Sequence, residues 1–327
     1  MIDVRTGSQT DDSEAETPKD PSETIPEEVS DGEEVTSEEE SVEDSEEGSV
    51  EEPEEESAED PEEGSTEDAD TITEPDIASG SDSVGLDPSW KFADHAAISS
   101  GSARLYRAQA NRKNVVIGVN AGHGTRGGQS VKTLCHPDGS AKVTGGTTSA
   151  GSVKAVAVSG GMTFADGTSE AAVALRCAQL FRDTLLAKGY DVLMLRDGED
   201  VQLDNVARTV IANNAADCMI SLHWDGDGLS YDKGCFYISV PNELKGMEPV
   251  ASYWQQHEKL GQALIGGLSS AGCKINGKGS MAIDLTQTSY STIPSVDIEL
   301  GNAASAHDDA TLSHLATALA DGVARMF

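Results

Sequence analysis

His123, Glu170, His223 and Glu299 are the side chains in this sequence whose types and positions suit joint chemistry. His123 follows an apolar run, Val115–Val116–Ile117–Gly118–Val119, that breaks into Ala121, Gly122 and Gly124. His223 directly follows the apolar stretch Cys218–Met219–Ile220–Ser221–Leu222, and Glu299 lies near the end of Ser295–Leu300. Sites at the carboxyl ends of strands are where open α/β sheets place their ligands. Glu170 opens a helix behind Thr168 and Ser169, where a capping hydroxyl and a first-turn carboxylate both suit the helix dipole. Two imidazoles and a carboxylate match the donor set of a catalytic zinc, which keeps its fourth position for water. Zinc would bring the pKa of that water to about 7 and polarise a bound carbonyl. Asp297 and Glu299 share one strand face while Val296, Ile298 and Leu300 share the other. Glu299 is therefore suited to take a proton from the water and pass it to a leaving amine. Taken singly, each of the four also suits a plainer place: a core or loop histidine, a helix-start charge, a solvated strand end. No local motif joins them, so the set carries the argument.

The elements that must position these residues follow from periodicity. Strands are predicted at about 114–120, Val153–Val158, Tyr190–Leu195, Cys218–Leu222, Gly234–Val240, Met281–Leu285 and Ser295–Leu300. Helices are predicted from Thr168–Glu170 to Gly189, over about 203–214 and 249–271, and over Asp309–Met326. Val173, Cys177, Leu180, Phe181 and Leu185 recur at helical spacing, and Gly189 suits the stop. Strands alternating with helices predict a three-layer α/β domain, its central sheet twisted, largely parallel and flanked by helices.

Charge divides the chain unevenly. Residues 1–82 carry 34 acidic and 2 basic residues, and the rest carry 24 and 20. The acidic part has no Phe, Trp or Tyr. It cannot bury enough apolar surface to offset its ordering entropy, so residues 1–85 are expected to be a disordered, low-complexity tail. Residues 86–112, with Trp90, Phe92, Leu105 and Tyr106, are a transition, and 113–327 form the domain. A monomer is expected. No Lys/Arg cluster offers a phosphate footprint, which excludes nucleic acid as a partner. No stretch is long and apolar enough to span a membrane. Met1–Thr10 shows no secretory signal, so a trimmed start is expected.

The remaining polar residues receive structural readings. Cys135, Cys177, Cys218, Cys235 and Cys273 lack Cys-x-x-Cys spacing, which disfavours a zinc ribbon, and an odd count leaves at least one free thiol. Cys177 and Cys218 fall at core positions. His136 has no second pair to make a metal site, and His257 and His314 are expected at helix surfaces or edges. Arg196 and Arg208 are expected to be structural charge partners. Asp225 and Asp227 suit either the mouth of a cleft or a solvated turn.

Several stretches resemble one family as a set. They are Gly118–Val119–Asn120–Ala121–Gly122–His123–Gly124, Glu170, Arg196, Arg208 with Ala212–Asn213, Asp217 through Ser221–Leu222–His223, and Asp297–Ile298–Glu299–Leu300–Gly301–Asn302. In this order they resemble the zinc-dependent N-acetylmuramoyl-L-alanine amidases of the third amidase type over roughly residues 113–327. The resemblance implies Zn2+ on His123, Glu170 and His223, with Glu299 as the catalytic carboxylate. It also implies cleavage of the amide between the lactyl group of N-acetylmuramic acid and L-alanine in peptidoglycan, at an extracellular or cell-wall location. Two departures stand out. Asn120–Ala121–Gly122–His123 replaces the usual Asp-Pro-Gly-His, and Thr125–Gly167 reads as an insertion between the first two ligands. Trp224, in place of the usual Asn, suits either a substrate-binding ring or ordinary packing, and Asn302 is a second candidate substrate contact. Another zinc hydrolase of the wall, a peptidase or deacetylase, and a non-catalytic wall-binding domain are the alternative readings.

Overall fold

The computed structural model describes residues 80–327. The acidic segment expected to be disordered lies outside the described residues, apart from its last six. Four of those six belong to the sheet. A strand at Asp82–Gly85 (β1) pairs antiparallel with Ser102–Tyr106 (β2), so the stretch read as a transition supplies a strand of the domain.

The first parallel strand, Val116–Ala121 (β3), buries Ile117, Val119 and Ala121 completely. The 125–167 segment that follows holds a two-stranded antiparallel sheet, Lys132–Leu134 (β4) and Lys154–Val156 (β5). Helix Glu170–Ala187 (α1) starts at Ser169, whose hydroxyl accepts the Ala172 N–H. Strand Asp191–Met194 (β6) and helix Asn205–Ala215 (α2) come next, the helix capped by Asp204 through the Ala207 N–H. Strand Cys218–Asp225 (β7) runs three residues beyond Leu222, so His223 stands within it. Strand Cys235–Ser239 (β8) leads to the long helix Val250–Ser270 (α3). Here the prediction needs correction: the strand is Ile275–Ala282 (β9), and Thr286–Tyr290 is a short helix (α4). Gly277 and Gly279 interrupt the alternation of this mostly exposed edge strand, which hides it from a periodicity argument. Strand Ser295–Asn302 (β10) and helix Asp309–Val323 (α5) complete the domain.

The main sheet has eight strands in the order β1-β2-β6-β3-β7-β10-β8-β9. Its four central strands, β6, β3, β7 and β10, are mutually parallel, and β2 and β8 join them antiparallel. Helices α1, α3 and α5 cover one face. Their Phe181, Leu185, Leu260, Leu264, Leu315 and Leu319 pack with Ile117, Val119, Ile220, Val296 and Ile298. On the other face α2 packs Ala207 and Ile211 on Leu193, Leu195 and Met219. Parallel strands buried on both faces read as nearly continuous apolar runs, as these do. No helix among the described residues is long and apolar enough to cross a membrane.

Candidate metal centre and active site

Three parallel strands deliver the site to one edge. His123 comes two residues after β3, and His223 and Glu299 are direct partners in the β7–β10 register. His123 has a positive φ of 65°, an uncommon conformation for a residue with a Cβ, and it turns the imidazole back over the sheet edge. Glu170 reaches the same point from the first turn of α1.

The donor atoms converge. His123 Nε2 lies 2.7 Å from Glu170 Oε1, and His223 Nδ1 lies 3.1 Å from each of them. One ligand atom from each residue fits within 4.8 Å of the others. The surrounding polar groups orient this set. The Ser159 carbonyl lies 2.9 Å from His123 Nδ1, so that nitrogen carries the proton and Nε2 is left for a ligand. Glu170 accepts the Trp224 N–H on Oε1 and the Met162 N–H on Oε2. A Cβ on Gly122 would fall 2.3 Å from the His223 ring, so only glycine permits the backbone to pass there. Two imidazoles and a carboxylate with an oriented outer shell fit a divalent cation such as zinc.

The protein's own charges set the electrostatics. Burial acts to raise the Glu170 pKa, but hydrogen bonds from His123 and His223 override it and hold the carboxyl far below its usual range. Burial acts to lower His223, but Glu170, Glu299 and Asp297 raise it to about 9. Glu299 is pushed up to about 8 by burial, with Glu170, Asp225 and Asp297 adding to the effect and His223 opposing it. A divalent cation at the cluster acts on Glu299 in the opposite sense and favours its carboxylate. Glu299 Oε2 is buried without a hydrogen-bond partner. A buried carboxyl oxygen left without a partner costs stability.

These residues line a cleft of about 680 Å3, walled on one side by insertion residues including Gln129, Gly145–Thr148 and Ser159–Met162. The wall is pinned at Asp284. Its carboxylate meets His136 Nε2 at 3.0 Å and accepts the Val143 N–H, its N–H reaches Thr144 Oγ1, and its carbonyl accepts from Lys142 Nζ. Periodicity could not find this anchor, because each partner looks like an ordinary loop residue. His136 is thus wholly buried and structural.

Other expectations change at this resolution of detail. Trp224 is only 2 % exposed and packs edge-on against Phe164, so its ring offers no open stacking face. It serves the site through its backbone N–H. Asn302 is fully buried and its amide donates to Asp227 and the Tyr231 carbonyl, so it braces a loop and has no donor left for a substrate. Asp225 and Asp227 both pair with Lys233. Arg196 and Arg208 are structural, but they donate to carbonyl and, for Arg208, hydroxyl oxygens and not to acids. Arg196 donates to the carbonyls of Ala121, Gly122 and Ala171, and Arg208 to those of Ala121, Leu203 and His123. Burial lowers Arg196 to about 10; burial and the neighbouring Arg196 charge lower Arg208 to about 9 against the opposing effect of Asp204 and Asp200. His257 is buried, not peripheral, and its Nδ1 accepts the Ser295 N–H at the start of β10. His314 is exposed, as expected. All five cysteines are free thiols, and Cys177 and Cys218 lie in the core.

The family model Amidase_3, N-acetylmuramoyl-L-alanine amidase, matches residues 117–326. The chain belongs to the N-acetylmuramoyl-L-alanine amidase family. Zinc dependence is typical of this family, and the His-Glu-His cluster is a possible place for the ion. The fold is similar to that of the N-acetylmuramyl-L-alanine amidase Ami1 of Mycobacterium smegmatis, with a TM-score of 0.54 and 17% identity. That match covers 66% of this chain and 98% of the other. The apo form of Ami1 from Mycobacterium abscessus matches with a TM-score of 0.52 and 20% identity, covering 65% and 98%. No curated protein matches the chain. As a member of this family the chain is an N-acetylmuramoyl-L-alanine amidase of peptidoglycan.

Proposed function

We propose that His123, Glu170 and His223 hold one zinc ion and that Glu299 carries the proton in hydrolysis of the muramoyl–L-alanine amide. The observation behind this is the convergence of three ligand atoms within 4.8 Å in a cleft that Glu299, with its Oε2 unpartnered, also lines. When bound, zinc supplies a Lewis acid for the scissile carbonyl and an acidified water. The chain's residues supply the rest. Glu170 stays ionised under its two N–H donors and keeps both imidazoles turned inward. Glu299 takes a proton from water as the new C–O bond forms on the lactyl carbonyl. It returns that proton to the alanine nitrogen as the C–N bond breaks, leaving a lactyl carboxylic acid and a free amine. The insertion wall excludes bulk water from one side of the exchange.

Action at the cell wall follows from the substrate, and we place it outside the membrane. The test is digestion of purified peptidoglycan. New L-alanine amino termini, with no new termini inside the stem peptide and no acetate release, are expected. Internal stem cleavage would indicate a peptidase, and acetate a deacetylase.

A further inference from the structure

We propose that Asp297 is the positioning residue for His223: its carboxylate lies within ion-pair reach of the imidazole Nε2, attracts the proton carried there, and so holds the ring with Nδ1 toward the metal. The inference rests on the metal-centre reading given above. His223 turns Nδ1 toward His123 Nε2 and Glu170 Oε1, 3.1 Å from both. An imidazole that gives one nitrogen to a metal carries its proton on the other, and the acceptor of that proton fixes tautomer and orientation. The other nitrogen, Nε2, faces Asp297 Oδ2 at 3.7 Å. Asp297 therefore sits on the side of the ring away from the ligand cluster and does not join the ligand set. On the neighbouring side, the ring rests against Gly122, where an added Cβ would fall 2.3 Å from Cε1. The imidazole is held between glycine backbone and carboxylate.

The strand register makes this placement rigid. Asp297 pairs with Ser221 and Glu299 with His223 across β10 and β7, so both acids project on the face that carries the imidazole. Asp297 is 5 % exposed and its Oδ1 is buried without a hydrogen-bond partner. A buried carboxylate with an unpartnered oxygen weakens a fold in which its neighbours Val296 and Ile298 are wholly buried and apolar. Apart from the Ser221 side chain on the paired strand, the charged group that faces this carboxylate is His223, and orientation of that ring gives a reason for an acid at this position.

The test compares the full chain with Asp297→Asn and Asp297→Leu. Zinc affinity is read by competition with a chromophoric chelator, and the thermal midpoint of the metal-free proteins by circular dichroism. Zinc binding should weaken about tenfold to a hundredfold in Asp297→Leu. It should weaken less in Asp297→Asn, which keeps an accepting oxygen. The metal-free midpoint should not fall in Asp297→Leu. In 15N-histidine-labelled, zinc-loaded protein, the His223 Nε2–H resonance should shift in Asp297→Asn and exchange away in Asp297→Leu. Equal zinc affinity and an unchanged resonance in all three proteins would overturn the proposal. So would a lower metal-free midpoint with unchanged affinity, which would make Asp297 a structural group only. A wild type that takes up no zinc would instead bring down the metal-centre reading itself, and this inference with it.

Discussion

His123 Nε2 and Glu170 Oε1 meet at 2.7 Å, although the whole of the 125–167 insertion runs between them in the chain. The insertion leaves the sheet edge and returns to it without parting the two donors. One strand end and one helix start, both fixed by the main sheet, therefore hold the pair.

The first prediction concerns metal content. The wild type should carry one zinc per chain by atomic emission, and His223→Ala should carry almost none. Two donors on one side of the site are a poor substitute for three. Chelation should lower the thermal midpoint of the wild type and leave that of His223→Ala unchanged, since a ligand stabilises only the state that binds it.

Glu299→Gln separates proton transfer from metal binding. The amide keeps the shape of the side chain but takes up no proton. The rate of alanine amino-terminus release should fall by about 10²- to 10⁴-fold while zinc content stays at the wild-type value. Full activity in this variant would remove Glu299 from the mechanism.

His257 gives a pH dependence independent of the metal. Burial lowers its pKa to about 4, against about 6.5 in an unfolded chain. A base whose folded pKa is depressed contributes stability above its unfolded pKa and loses it as pH falls. Metal-free protein should therefore lose about 3 kcal/mol between pH 6.5 and 4 from this group. Urea unfolding across that range measures it. His257→Asn, which keeps an acceptor for the Ser295 N–H, should show a flatter profile.

Arg208 clamps the loop that carries His123. Its guanidinium donates to the carbonyls of Leu203, Ala121 and His123 and to Asn120 Oδ1 and Thr125 Oγ1. Arg208→Met fills the volume but leaves buried acceptors unpaired. A loss of about 3 kcal/mol or more in urea unfolding is expected. Zinc affinity should fall with it, because the His123 backbone loses its tether.

Much of this architecture was legible because its signals are local. The apolar runs of β3, β7 and β10, the Ser169 helix start and the helical spacing of Val173, Cys177 and Leu185 each point to one element. The four site residues could be nominated because strand ends in a parallel sheet share an edge. Edge strands were not legible. β1 and β2 carry no strong alternation and depend on β6 for their pairing, and glycines break up β9. Side-chain roles set by distant partners were hidden too. Nothing near Trp224 shows that Phe164 will cover its ring, or near His257 that it will meet Ser295. The carbonyl partners of Arg196 and Arg208 leave no mark in composition, since backbone acceptors occur at every residue.

The pin at Asp284 ties together two segments that lie far apart in the chain. His136, Lys142, Val143 and Thr144 all belong to the insertion, but the aspartate they share comes from the segment between β9 and α4. Residues 125–167 transplanted alone into a sister enzyme would arrive without their fastening, and a chimera would have to carry both pieces to keep the wall upright.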